Sequence, residues 1–129
     1  MKVKAALISN GLQTIIELAE KPMPVALAAK MLRLADDLQK ENEIIEKQRR
    51  LIIEKYADKD DNGKLIINQG NVSFKNNGTT QQAQTELNEL ANLEIEITDR
   101  NITEEELNNA NLQLSITQFA ALRDFIEEK

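Results

Sequence analysis

Apolar and polar positions alternate with two different periods along this chain. Val3 and Ala5 alternate with Lys2 and Lys4, the two-residue period of a short opening strand. Leu12, Ile15, Ile16 and Ala19 then recur at helical spacing, predicting a helix over 7–21 that Ser9 or Asn10 caps and Pro22-Met23-Pro24 ends. Proline supplies no amide donor and restricts the residue before it, but it suits the first turn of a new helix. A second helix therefore follows over 24–57, without internal Gly or Pro, and about 50 Å long at 1.5 Å per residue. Leu27, Met31, Leu34, Leu38, Ile45 and Ile52 form its core stripe. Asp36, Lys40, Glu43, Lys47, Arg50 and Glu54 form a solvated one, with acids placed four residues ahead of bases. Up to Leu38 the helix is apolar almost all round, which predicts burial against several neighbours. Beyond it the stripe narrows, so the distal half is expected to project.

The pattern changes after Tyr56. Asp60-Asp61-Asn62-Gly63 and Asn68-Gln69-Gly70-Asn71 are turn signals around short apolar runs, giving a β-hairpin over 64–75. Asn76-Asn77-Gly78 closes it, and Thr79 or Thr80 caps a helix over 80–92 with Ala83, Leu87, Leu90 and Ala91 on one face. Leu93, Ile95 and Ile97 alternate with Glu94, Glu96 and Thr98, a half-buried strand over 93–98. Thr103 with Glu106 reads as a capping box that buries Leu107, and Asn108 to Asn111 reads as loop. Ser115 with Gln118 opens a last helix over 116–128, whose buried face is Phe119, Leu122, Phe125 and Ile126. The fold class is α+β: a long central helix with a second N-terminal helix, a small antiparallel sheet including a hairpin, and C-terminal helices. At 129 residues it is read as one domain over 1–129.

Composition narrows the chemistry. With no Cys and no His, disulfides and most zinc sites are excluded, along with the commonest proton shuttle at neutral pH. Asp58, Asp60, Asn62 and Gly63 match four positions of a calcium loop, but Gln69 stands where a bidentate carboxylate is required. The simpler reading is an acidic turn. Glu94 and Glu96, or Glu104 to Glu106, are explained by a solvated strand edge and a helix start. No phosphate loop or nucleophile motif is found, so the expectation is a protein that is not an enzyme, with no cofactor and no metal.

Charge is uneven. Residues 1–57 carry ten Lys/Arg against eight Asp/Glu, while 58–129 carry six against fourteen. The acidic half disfavours direct nucleic-acid binding. Lys47, Arg49 and Arg50 are the one basic cluster, with Glu43, Glu46 and Glu54 within pairing distance. A solvated helix face is the plain reading, and a grip on a phosphate or acidic partner the functional one. Ile44, Ile45, Leu51, Ile52 and Ile53 are either core or a contact surface. If the helix projects, self-association or partner binding follows. Partner-binding candidates are thus Ile44, Ile45, Lys47, Arg49, Arg50, Ile52, Ile53, Glu94 and Glu96. No segment reaches the roughly 20 apolar residues of a membrane span, and the N-terminal apolar stretch is too short for a signal peptide. A cytoplasmic location is expected.

The order of features resembles a small uncharacterised family of tailed bacteriophages and prophages of Gram-positive bacteria. The resemblance rests on Leu18 through Val25, Lys30 and Leu38 of the long helix, and Leu51-Ile52-Ile53-Glu54-Lys55-Tyr56. It continues through Asn62-Gly63, Leu90 to Ile97, and Leu114-Ser115 before the last helix. It implies a phage accessory protein in the host cytoplasm and supplies no active-site residues. The leading expectation is an inhibitor that occupies a host defence or nucleic-acid-handling protein and forms homo-oligomers. The alternatives are a morphogenesis or virion-associated protein binding other phage proteins, and a sponge for a small anionic ligand.

Overall fold

The computed structural model describes residues 1–57, 67–68, 71–72 and 77–126. Within them the α+β class is observed, with a long helix, an N-terminal helix, two-stranded antiparallel ladders and C-terminal helices. The chain divides into two compact units. The first comprises Met1–Asn42 with Glu94–Lys129, the second Glu43–Leu93.

The first unit opens with β1 (Lys2–Lys4), which passes directly into α1 (Ala5–Leu18). β1 pairs antiparallel with β4 (Glu94–Glu96), in the register Lys2 with Glu96, Val3 with Ile95 and Lys4 with Glu94. This register sets Lys opposite Glu on one face, and Val3 is buried on the other. Met1 and Ile97 extend the ladder: the Met1 amino group donates to Ile97 O at 2.9 Å, and Ile97 N to Met1 O at 2.8 Å.

α1 begins earlier than 7–21 predicts, and neither Ser9 nor Asn10 caps it. Lys4 occupies the cap position without a side-chain hydrogen bond. Ala5 and Ile8 are both buried, so packing of the first turn substitutes for capping. Ala5, Ile8, Leu12 and Ile15 line the buried face, whereas Ile16 is exposed. The helix stops at Leu18 ahead of Pro22, and α2 (Val25–Tyr56) starts after Pro24, whose carbonyl accepts the first helical bond from Ala28 N at 2.9 Å.

In the first unit α2 buries Leu27, Met31, Leu34 and Leu38. Burial all round does not occur: Val25 is 85% and Leu32 65% exposed. Three sides of the helix differ. The core side is apolar and covered, and the side bearing Lys30 and Asp37 is tied down by charge. Lys30 Nζ reaches Glu106 Oε1 at 2.8 Å and Asn101 O at 3.0 Å, and Arg100 pairs with Asp37. The third side, with Ala28, Leu32 and Ala35, lines an open groove.

Both C-terminal capping boxes form. Thr103 caps α4 (Glu104–Asn109) with Glu106 reciprocating, and Ser115 caps α5 (Ile116–Leu122) with Gln118 reciprocating. α4 takes in Asn108 and Asn109, where the sequence pattern predicts loop. Asn111 then adopts φ 57°, a left-handed residue of the kind that ends helices. α5 is shorter than 116–128, and a 3-10 turn, Arg123–Phe125, follows it; residues 127–129 lie outside the described residues. Three residues per turn bring Phe125 into line with Leu122. These two are buried and Phe119 is left exposed, against the expectation that it faces the core.

In the second unit, β2 (Ile67–Asn68) and β3 (Asn71–Val72) pair antiparallel with Ile67 opposite Val72, as the hairpin reading requires. The rest of 64–75, and the candidate calcium turn, lie outside the described residues. α3 (Asn77–Ala91) starts before 80, because Asn77 and Gly78 form its first turn rather than preceding it. Ala83 is buried, and Leu87, Leu90 and Ala91 are half-buried on the same face.

Candidate functional site

The predicted partner-binding residues fall in both units. Glu94 and Glu96 project from β4 in the first, both exposed. The others lie on the part of α2 that belongs to the second unit, where Lys47, Arg49 and Arg50 are exposed, and Ile45, Ile52 and Ile53 half-buried. Ile44 and Leu51 are the exposed apolar side chains there. Seven residues apart, they share a face two helical turns long. Arg49 pairs with Glu46 at 3.8 Å, both side chains well exposed, a contact that favours the solvated-face reading of the basic cluster. No helix is long and apolar enough to cross a membrane among the described residues, and no group of three or more acidic side chains there is arranged to hold a metal ion.

One charged cluster in the second unit was not read from the sequence. Glu86 lies on the same face of α3 as Ala83, Leu87 and Leu90, so its carboxylate stands on the half-buried side of an amphipathic helix. Lys55 Nζ meets Glu86 Oε1 at 3.2 Å and sits 5.0 Å from the centroid of the Tyr56 ring. The Tyr56 hydroxyl, and then Lys55, hold the Glu86 carboxyl below its ordinary range. Tyr56, and then Glu86, raise the Lys55 ammonium. Both charges are therefore fixed at neutral pH, which suits a structural tether rather than a proton carrier.

The first unit carries the more developed surfaces. An apolar groove of about 440 Å³ runs between α1 and α2, lined by Ile16, Ala19, Met23, Ala28 and Leu32, with Lys21 its one charged lining residue among the described residues. Two further clefts, of about 360 and 650 Å³, flank Ile116 at the start of α5. Ile116 is 90% exposed. Leu107, Leu112, Leu114 and Phe119 wall the smaller cleft, and α1 with α5 the larger. Sequence reasoning missed these surfaces, because it assigned Phe119 to the core and left Ile116 as an ordinary helix residue. The available signal was position: at the first helical residue after the Ser115 cap, Ile116 lies outside the 119/122/126 stripe.

No protein-family model, curated protein or solved structure matches the chain.

Proposed function

We propose that this protein acts by occupying a protein partner and not by catalysis, and that it is a phage accessory protein whose partner is a host defence or nucleic-acid-handling protein. The observation that carries the reading is the apolar surface left open to solvent. Ile116, Val25, Leu32, Ile44 and Leu51 are all exposed, and apolar clefts adjoin Ile116 and Leu32. Scattered apolar residues are ordinary on a surface, whereas contiguous ones beside clefts mark contact sites. The host-directed part of the reading is supported by the resemblance to phage proteins and by the acidic C-terminal half, which suits a basic partner. Homo-oligomers formed through the Ile44 and Leu51 face are part of the same proposal.

The test is mass spectrometry of proteins that co-purify with the tagged chain from phage-infected cells, alongside analysis of purified particles. The expected result is a host protein as the dominant catch and no chain in the particles. Recovery of the chain in particles with phage structural proteins would replace the inhibitor reading with a morphogenesis role.

A further inference from the structure

The two clefts beside Ile116 share a charge character that the α1/α2 groove lacks. Glu104 lines the smaller cleft and Glu17 the larger, and among the described residues no Lys or Arg lines either. Glu104 makes no ion pair among the described residues, and Glu17 uses only Oε2, accepting from Gln118 Nε2 at 3.2 Å. Nearby cations are engaged elsewhere: Lys21 with Gln113 O at 2.8 Å, Lys30 with Glu106, and Arg100 with Asp37. Arg123, on the 3-10 turn after α5, makes no ion pair among the described residues. Residues 94–126 carry seven acids against two arginines. The surface is thus an apolar ridge, Ile116 with Phe119, with a carboxylate in the cleft on either side.

The geometry points to this ridge as the docking surface for a cationic amphipathic helix of the partner, an inference that rests on the protein-binding reading above. Such a helix carries an apolar stripe flanked on both sides by Lys or Arg, the complement of an apolar ridge flanked by Glu104 and Glu17. Ile116 seats between the side-chain rows of the stripe, and the flanking cations reach the two carboxylates. The same carboxylates repel nucleic-acid phosphates and anionic lipid headgroups, so the apolar ridge selects a protein occupant.

The test uses the full chain and a fluorescein-labelled leucine/lysine peptide patterned as an amphipathic helix, with its leucine/glutamate counterpart as control, read by fluorescence anisotropy. Saturable binding of the lysine peptide and none of the glutamate peptide is expected. Ile116→Ser should weaken it about tenfold, the loss of one buried aliphatic side chain. The Glu17→Gln/Glu104→Gln double variant should weaken it several-fold and flatten its salt dependence. Leu32→Ser, in the other groove, should leave it unchanged. Ile116 and Leu32 are exposed, so these variants keep the fold, which circular dichroism verifies.

Equal binding of both peptides, no binding, or undiminished binding by Ile116→Ser would overturn the proposal. So would attachment to phosphatidylserine vesicles in place of the peptide, or a dimer that Ile116→Ser disperses. A host protein captured equally well by wild type and Ile116→Ser would overturn the cleft while leaving the protein-binding reading in place. Recovery in virions would reject the host-inhibitor reading whatever the peptide does.

Discussion

The Phe125 ring lies against the backbone of α1 at Gly11, where an added Cβ would stand 2.5 Å from Phe Cε2. Phe125 is almost fully enclosed, so the ring has little room to withdraw. Gly11→Ala gains helix propensity of about 1 kcal/mol but forces the ring out of its seat, an overpacking cost of about 1–3 kcal/mol. Net destabilisation is expected in urea unfolding. In the Phe125→Leu background the same substitution should become neutral or stabilising, and equal effects in both backgrounds would show that the ring is not the obstacle.

Glu106 has two partners. Its carboxylate accepts from Lys30 Nζ at 2.8 Å and from Thr103 N at 3.4 Å, closing the capping box. Thr103→Ala removes only the forward cap and should cost about 1 kcal/mol. Glu106→Ala removes the reciprocal cap and leaves Lys30 without its carboxylate, so it should cost more than Thr103→Ala in chemical denaturation. Equal losses would mean that the Lys30 pair contributes nothing, as for many exposed pairs.

Acid should loosen the tether in the second unit. Glu86 has its carboxyl lowered from an ordinary 4.5 by Tyr56 and Lys55. A carboxylate lowered in the folded state stabilises it above the unfolded value, and that contribution disappears as pH falls through the lowered one. The side-chain carbon of Glu86 should therefore titrate below the ordinary carboxylate midpoint in NMR. Tyr56→Phe should move the midpoint upward, and an unmoved midpoint would remove the hydroxyl from the account.

Self-association is expected to run through the face that carries Ile44 and Leu51. Ile44→Asp or Leu51→Asp should shift light-scattering mass toward the monomer without loss of helicity, since both side chains are already exposed. Ile45→Asp and Ile52→Asp act on half-buried positions and should lower helix stability as well. A monomer at every concentration, with or without Ile44→Asp, would eliminate this interface.

Local signals were the readable part of the fold. Thr103 with Glu106 and Ser115 with Gln118 each specify a helix start within four residues, and both boxes form as read. Pro22 and Pro24 likewise fix the joint between α1 and α2 within a few residues. Phe119 was misplaced because the period shortens from 3.6 to 3 just beyond Leu122, which no hydrophobic count over 116–128 reveals. Val25 and Leu32 were misplaced because an apolar helix side looks the same in sequence whether or not its own chain covers it. The clefts beside Ile116 depend on α1, α4 and α5 meeting from distant parts of the chain, a tertiary relationship that single-sequence periodicity does not encode.

The pairing of Val3 with Ile95 has a consequence for synthesis on the ribosome. β1 is made about ninety residues ahead of its partner strand. The intervening second unit, Glu43–Leu93, is translated in full before the first can close its ladder. During that interval Ile8, Leu12 and Ile15 cannot be covered by Ile97, Leu122 or Phe125, which have not yet been made. While those roughly ninety residues are being added, α1 therefore lacks part of its cover, the condition in which chaperones engage a polypeptide.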